Sequence, residues 1–285
     1  MKTLRETVRE ALENARAIGH FNISDSNQLA AIADAAKDTG LPVIIGLSEG
    51  EREYFPLAHA KSLIDLYRAD GISIYLNADH TYSIEKVKDA VDAGVDSVIF
   101  DGAKAGFEEN AKQTKLAVEY ARASGRDVLV EAELGYIGQS SKVLTELPEG
   151  AAITPEMMTS VDDAARFVRE TGVDCFAPAV GNVHGMLGVS QDPPLNIERI
   201  HEISSATDVP LVLHGASGNS EADILKAIQN GVAIVHINTE LRVAYRDGLR
   251  EALASDEVAP YKFLAPAHDR MKAFVSEKLQ LFARV

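Results

Sequence analysis

The chain has 285 residues, 46% hydrophobic and 25% charged, with a formal net charge of −15 at pH 7. This is the profile of a globular protein with room for two small domains or one large barrel. The acidic balance and the lack of any basic stripe exclude nucleic acid and anionic membrane surfaces as partners. An anionic metabolite would then need a local positive device, such as a metal ion or helix N-termini.

The opening MKTLRETVREALENARAIG reads as an amphipathic helix carrying Glu6, Glu10 and Glu13, with no apolar signal core. No stretch approaches the roughly 18 apolar residues of a membrane span, so the cytoplasm is the expected compartment. Eight apolar runs follow in chain order: GHFNI (19–23), PVIIGLS (42–48), ISIYLNA (72–78), SVIFDG (97–102), VLVEAELG (128–135), CFAPAVG (175–181), PLVLHG (210–215) and IVHINT (234–239). Between them apolar residues recur at helical spacing. Ser83 opens one helix, and Ser160 with Asp163 and Ser220 with Asp223 match the capping box. Gly94, Gly172 and Gly231 each fall where a helix must stop before the next strand. The lone Cys175 lies in an apolar run and reads as a core residue.

Strict alternation of strand and helix implies parallel strands with right-handed crossovers. Eight units predict an α/β fold, a (β/α)8 TIM barrel. An N-terminal helix would cap its bottom, and a helical extension would follow residue 240. No linker divides the chain, so residues 1–285 are expected to form one domain. A doubly wound open sheet is the alternative, but HFNISDSN after the first strand is not a glycine-rich phosphate fingerprint.

Barrel active sites gather at the C-terminal ends of the strands. Those ends carry Asn22, Ser48, Asp79 with His80, Asp101, Glu133, His184, His214, and His236 with Asn238 and Thr239. His59 and His201 lie in helical segments and read as surface residues. Three histidines from different strands, with a fourth position open, suit a catalytic zinc site. Asp79, beside a proposed ligand, would either support it or act as a general acid/base. In LHGASGNS, Gly215, Ala216 and Ser217 would offer backbone N–H groups where this fold commonly binds phosphate. A metal beside a phosphate cradle points to Lewis-acid chemistry on a phosphorylated carbonyl compound. A Schiff-base route is disfavoured, because Lys104 is the only lysine just after a strand.

From Phe21 to the C-terminal helices, LPVIIGLSEG, NADH, VIFDGA, EAELG, GNVHG, LHGASG and INTE occur in order. Together they resemble the class II, metal-dependent fructose-bisphosphate aldolase family, which includes tagatose-bisphosphate aldolases. The resemblance implies that His80, His184 and His214 bind zinc or another divalent ion, with Asp101 and Glu133 at a second metal position. It implies that Asp79 gives the proton to the aldehyde oxygen during condensation. Gly185, Gly215, Ala216, Ser217, His236, Ile237, Asn238 and Thr239 would meet the dihydroxyacetone phosphate half, and Ser48 the aldehyde half. Asn22 is a further candidate for substrate binding. A monovalent cation near the phosphate and a homodimer or homotetramer are also expected.

Two departures stand out. The family places acids on a mobile loop after EAELG, where this chain has Ser140 and Ser141; Glu146 and Glu149 lie further on, as surface charges or as a displaced base. His236 stands where the family commonly has asparagine. The expected activity is reversible cleavage of fructose 1,6-bisphosphate, a glycolytic ketose bisphosphate, with tagatose 1,6-bisphosphate as the close alternative. A metal-dependent hydrolase and a non-catalytic aldolase-like subunit are the rival readings.

Overall fold

The computed structural model of the chain describes residues 2–138, 142–188 and 192–285. Its strands are β1 (Ile18–Asn22), β2 (Val43–Leu47), β3 (Ile74–Thr81), β4 (Ser97–Phe100), β5 (Leu129–Leu134), β6 (Val143–Leu144), β7 (Cys175–Pro178), β8 (Met186–Leu187), β9 (Leu211–Leu213) and β10 (Val232–His236). Eight of them close a parallel barrel in the order β1-β2-β3-β4-β5-β7-β9-β10, with β10 pairing back to β1. All eight expected strands are present. Their ends shift for identifiable reasons. β3 runs on to Thr81, because the Asp101 N–H bonds the Thr81 carbonyl. β10 starts earlier, at Val232 paired with Leu211, and stops at His236, because Thr239 already begins a helix.

Serine caps start the helices as their sequences require. Ser83, Ser160 and Ser220 each accept the backbone N–H three residues on. Gly94 and Gly172 close their helices in the left-handed region, which costs glycine nothing.

The bore of the barrel is layered. Its lower end is apolar, built from Ile18, Ile44, Tyr75, Leu129, Val212 and Ile234, with Cys175 buried beside them. The N-terminal helix Leu4–Glu13 plugs this end with Leu4 and Val8, each side chain worth about 1.5–3 kcal/mol when fully buried. Arg5 fastens the plug to Asp127 and Asp174 at 2.8 and 2.6 Å, and Thr7 bonds the Tyr75 hydroxyl at 2.7 Å. The upper end of the bore is polar. His20, Asn22, Asn77, Asp79, Ser97, Glu131 and Glu133 are all buried there. Outside, Ala265–Ala283 packs on Ser26–Thr39 and Thr239–Ala252, completing the C-terminal extension.

The sequence did not suggest the short β6–β8 sheet. It pairs Val143 with Met186 and Leu144 with Leu187, so the loop after β5 is zipped to the loop after β7.

Candidate active site

One cleft at the upper rim brings together most of the residues singled out in the sequence. Asn22, Ser48, Asp79 and His80 line one side, from the β1, β2 and β3 ends. His184, Gly185, His214, Gly215 and Ser217 line the other, with His236, Asn238 and Thr239 between. Asp101 lines an adjoining cleft with Ser48, His80 and His184, and Glu133 is buried beneath. Ala216 and Ile237 do not line the cleft. Their side chains enter the apolar core, and their N–H groups bond the carbonyls of His236 and His20 at 3.2 and 3.1 Å. His59 and His201 are exposed on helices, and Lys104 is exposed away from both clefts.

His80, His184 and His214 meet edge to face, with ring centroids 4.9 to 5.7 Å apart. One ring nitrogen of each lies within 4.8 Å of the others. Each ring is held from behind. His80 Nδ1 is 3.0 Å from Asp101 Oδ2, His184 Nδ1 is 2.8 Å from the Gly138 carbonyl, and His214 Nε2 is 2.7 Å from Glu131 Oε1. Such backing fixes the tautomer and leaves the second nitrogen of each ring as a lone-pair donor. His80 is held at φ +37°, a strained backbone for a histidine at the end of a strand.

The charge balance of this cluster tests whether it suits a metal. Burial, helped by the charge of His80, brings His184 down to about 4, and burial takes His214 well below its ordinary value. Both are therefore neutral imidazoles at pH 7. Burial, then the charge of Asp101, raises Glu133 to about 8. Burial alone would lower His80, but Asp79, Glu133 and Asp101 outweigh it and raise His80. These acids thus favour a positive charge at His80, which its own proton or a bound cation in that proton's place would supply. Glu133 Oε1 lies 3.2 Å from His80 Nδ1 and 3.3 Å from His214 Nδ1, yet neither Glu133 Oε1 nor His214 Nδ1 makes a hydrogen bond. Buried orphans of this kind normally have a partner. Three imidazoles with carboxylates close by fit a borderline divalent ion, and a cation there would satisfy both orphans.

Asp79 Oδ2 accepts from Asn22 Nδ2 at 2.8 Å, while Oδ1 is buried without a hydrogen bond. Burial would raise this carboxyl. His80, His20 and His214, with the Asn22 bond, hold it below the usual range, so Asp79 is ionised.

The turn after β9 is built to bring backbone close. Gly215 has φ +59°, and a Cβ there would sit 2.2 Å from the Val183 carbonyl. Gly218 N–H donates to Glu240 Oε1 at 3.0 Å, which seats this turn against the N-terminus of Thr239–Ala252. A helix start beside a glycine turn is an anion site by geometry and dipole.

Sequence reasoning missed His20, Glu131, Glu51 and Arg242. Glu131 was legible, because it shares strand parity with Glu133 and so must face the same bore. His20 shares parity with Asn22 in the same way. Its ring stacks on His236 at 3.5 Å, and His236 stacks on His214 at 4.0 Å. Gly46 makes room for this column, since a Cβ there would meet His20 Cε1 at 2.2 Å. Gly46→Ala should therefore destabilise the protein by about 1–3 kcal/mol, the usual cost of overpacking. Adding His20→Ala should recover part of that loss in urea denaturation; no recovery would mean the clash is not with His20.

The loop after β5 also supports the site. The His184 N–H bonds the Ile137 carbonyl at 2.8 Å, and Gly138 holds the His184 ring. Glu146 and Glu149 are exposed and line neither cleft. Ser140 and Ser141 lie outside the described residues.

Comparison with known proteins covers the whole chain. Residues 2–285 match the family model described as fructose-bisphosphate aldolase class-II. Fructose-bisphosphate aldolase of Geobacillus stearothermophilus is 35% identical over 98% of this chain and 96% of its own. The enzyme of that name from Staphylococcus aureus strain Mu50 is 36% identical over the same shares. Among solved structures, the YdjI aldolase of Escherichia coli K12 superposes with a TM-score of 0.83 at 31% identity, covering 99% of this chain and 97% of its own. A fructose-1,6-bisphosphate aldolase homologue from Coccidioides immitis gives 0.85 at 27% identity, over 98% and 95%.

Proposed function

The chain belongs to the class II fructose-bisphosphate aldolase family of metal-dependent lyases, and on that premise we propose that it reversibly cleaves fructose 1,6-bisphosphate into dihydroxyacetone phosphate and glyceraldehyde 3-phosphate. The observation that carries the proposal is the trio of backed histidines around two buried orphans, Glu133 Oε1 and His214 Nδ1. In this reading His80, His184 and His214 would hold a divalent ion, zinc by the donor set, with Asp101 and Glu133 offering a second position. Bound there, the ion would supply Lewis acidity toward the ketose carbonyl and the negative charge left on the ketose half.

The chain's own groups do the rest. Ionised Asp79 takes the C4 hydroxyl proton during cleavage, and C3 of the resulting enediolate gains a proton exchanged with solvent to give dihydroxyacetone phosphate. In condensation C3 loses that proton to solvent, and protonated Asp79 donates its own proton to the aldehyde oxygen. Asn22 keeps Asp79 oriented by holding Oδ2, which leaves Oδ1 for that proton. Gly185, Gly215 and Ser217, with Asn238 and Thr239 at the helix start, receive the ketose-side phosphate. Asn238 Oδ1, buried without a hydrogen bond, supports a monovalent cation beside that phosphate. His236 forms the floor between Asp79 and His214, 3.8 Å from Asp79 Oδ1.

Residues 1–285 act in this reading as one catalytic unit. Exposed Leu253, Val258 and Tyr261 support a homodimer or homotetramer, which light scattering tests. No described helix is long and apolar enough to cross a membrane, and a phosphorylated sugar substrate suits the cytoplasm.

The decisive assay measures triose phosphate release from fructose 1,6-bisphosphate and, in parallel, from tagatose 1,6-bisphosphate. Release from the fructose compound is expected. Release from tagatose bisphosphate alone would change the sugar, phosphate release without triose would make the protein a hydrolase, and no turnover would leave a binding subunit.

A further inference from the structure

Two imidazoles that carry no step of the proposed reaction stack in a column against His214. His236 lies face to face with His214, the planes 27° from parallel and the centroids 4.0 Å apart. His20 covers the opposite face of His236, 8° from parallel at 3.5 Å. The strands dictate this stack. His20 on β1 and His236 on β10 are in-register partners, so their side chains leave neighbouring strands at one height of the bore. On the far side of His20, Gly46 of β2 has no side chain to block the ring, which reaches over β2 to Asn77 of β3. There His20 Nε2 lies 3.2 Å from Asn77 Oδ1, and Asn77 is itself fixed by donating from Nδ2 to Ser97 Oγ at 2.6 Å. His20 is the anchored end of the column.

His236 is held differently. Its Nε2 is buried without a hydrogen bond, and Nδ1 stands 3.8 Å from Asp79 Oδ1, beyond bonding reach. Packing between His20 and His214 therefore sets the angle of this ring. The bond from Glu131 fixes one corner of the His214 ring, at Nε2. A bond at one corner lets the ring plane swing about it, and the face of His236 blocks that swing. Burial holds His20, His236 and His214 below their ordinary values, so the rings stack as neutral imidazoles without mutual repulsion. Resting on the aldolase reading and its metal site, we infer that His20 and His236 are positioning residues, whose stacked rings fix the angle at which His214 presents Nδ1 to the metal.

Zinc affinity of the full chain, measured by competition with a chromophoric chelator, reads this role without turnover. His236→Ala should weaken zinc binding about 10- to 100-fold, the usual cost of removing a ligand's support. His20→Ala should weaken it about 2- to 10-fold, the scale of one stacked pair. The double variant should bind as His236→Ala does, because His20 acts only through His236. His236→Phe keeps the ring face without either nitrogen and should retain most of the affinity. His236→Asn, polar but without a ring, should lose as much as His236→Ala and stands in for it if the alanine variant does not fold. Unchanged affinity in His236→Ala or His236→Asn would overturn the inference. So would additive losses in the double variant, or a loss in His236→Phe equal to that in His236→Ala. A wild type that holds no zinc would overturn the metal site itself, and this inference with it.

Discussion

Chelation is expected to abolish cleavage, with a loss on the order of 10³-fold or more, and Zn²⁺ or another divalent ion should restore it. The expectation follows from the donor set, in which His184 and His214 are neutral and neither Glu133 Oε1 nor His214 Nδ1 makes a hydrogen bond. A melting temperature and a borohydride test accompany it. The chelated protein should melt at a lower temperature, because an ion that binds only the folded chain stabilises it. Borohydride with substrate should leave the enzyme active, since exposed Lys104 lines neither cleft. A reduced covalent adduct on Lys104 would refute the metal mechanism.

Asp79→Ala should lose about 10²- to 10⁴-fold in turnover, the ordinary contribution of a general acid/base. The variant should keep its metal, because Asp79 Oδ1 lies 3.9 Å from His80 Nε2 and so does not hold that ring. Asp101 does so instead, at 3.0 Å. Metal content after dialysis decides between the two roles. If zinc is lost along with activity, Asp79 is a support for His80 and the proton has another carrier.

The barrel was legible because each strand and helix advertises itself locally. Apolar runs bounded by serine caps and glycine stops need no knowledge of the rest of the chain, and the same rule that closes the barrel sends every strand end to one rim. That is why Asp79, His80, His184 and His214 could be gathered from positions more than a hundred residues apart. Residues within strands were harder. His20 and Glu131 hold the site from below, and only strand parity, applied to GHFN and VEAEL, would have shown them facing the bore. Arg242 carried no signal, since an arginine one turn into a helix is usually a solvated charge. The β6–β8 pairing was hidden for a different reason. Two-residue strands have no periodicity, and their pairing depends on how two distant loops happen to lie. Ala216 and Ile237 show the opposite error, where a motif carried whole into the cleft included members whose side chains belong to the core.

The pairing of β1 with β10 has a consequence for how the chain is made. As it leaves the ribosome, β1 can zip to β2 almost at once, but its other edge stays bare until β10 emerges roughly two hundred residues later. Until then the nascent sheet is an open arc with a sticky strand at each flank, the form most prone to pairing with a neighbouring chain. The Leu4–Glu13 plug cannot seat fully either, because Ile234, one of the residues that seals it, arrives in the same late strand. Closure of the ring is therefore a terminal event, of high contact order and slow by its topology. Crowded overexpression should penalise this protein through the unsealed arc rather than through any weakness of the finished barrel.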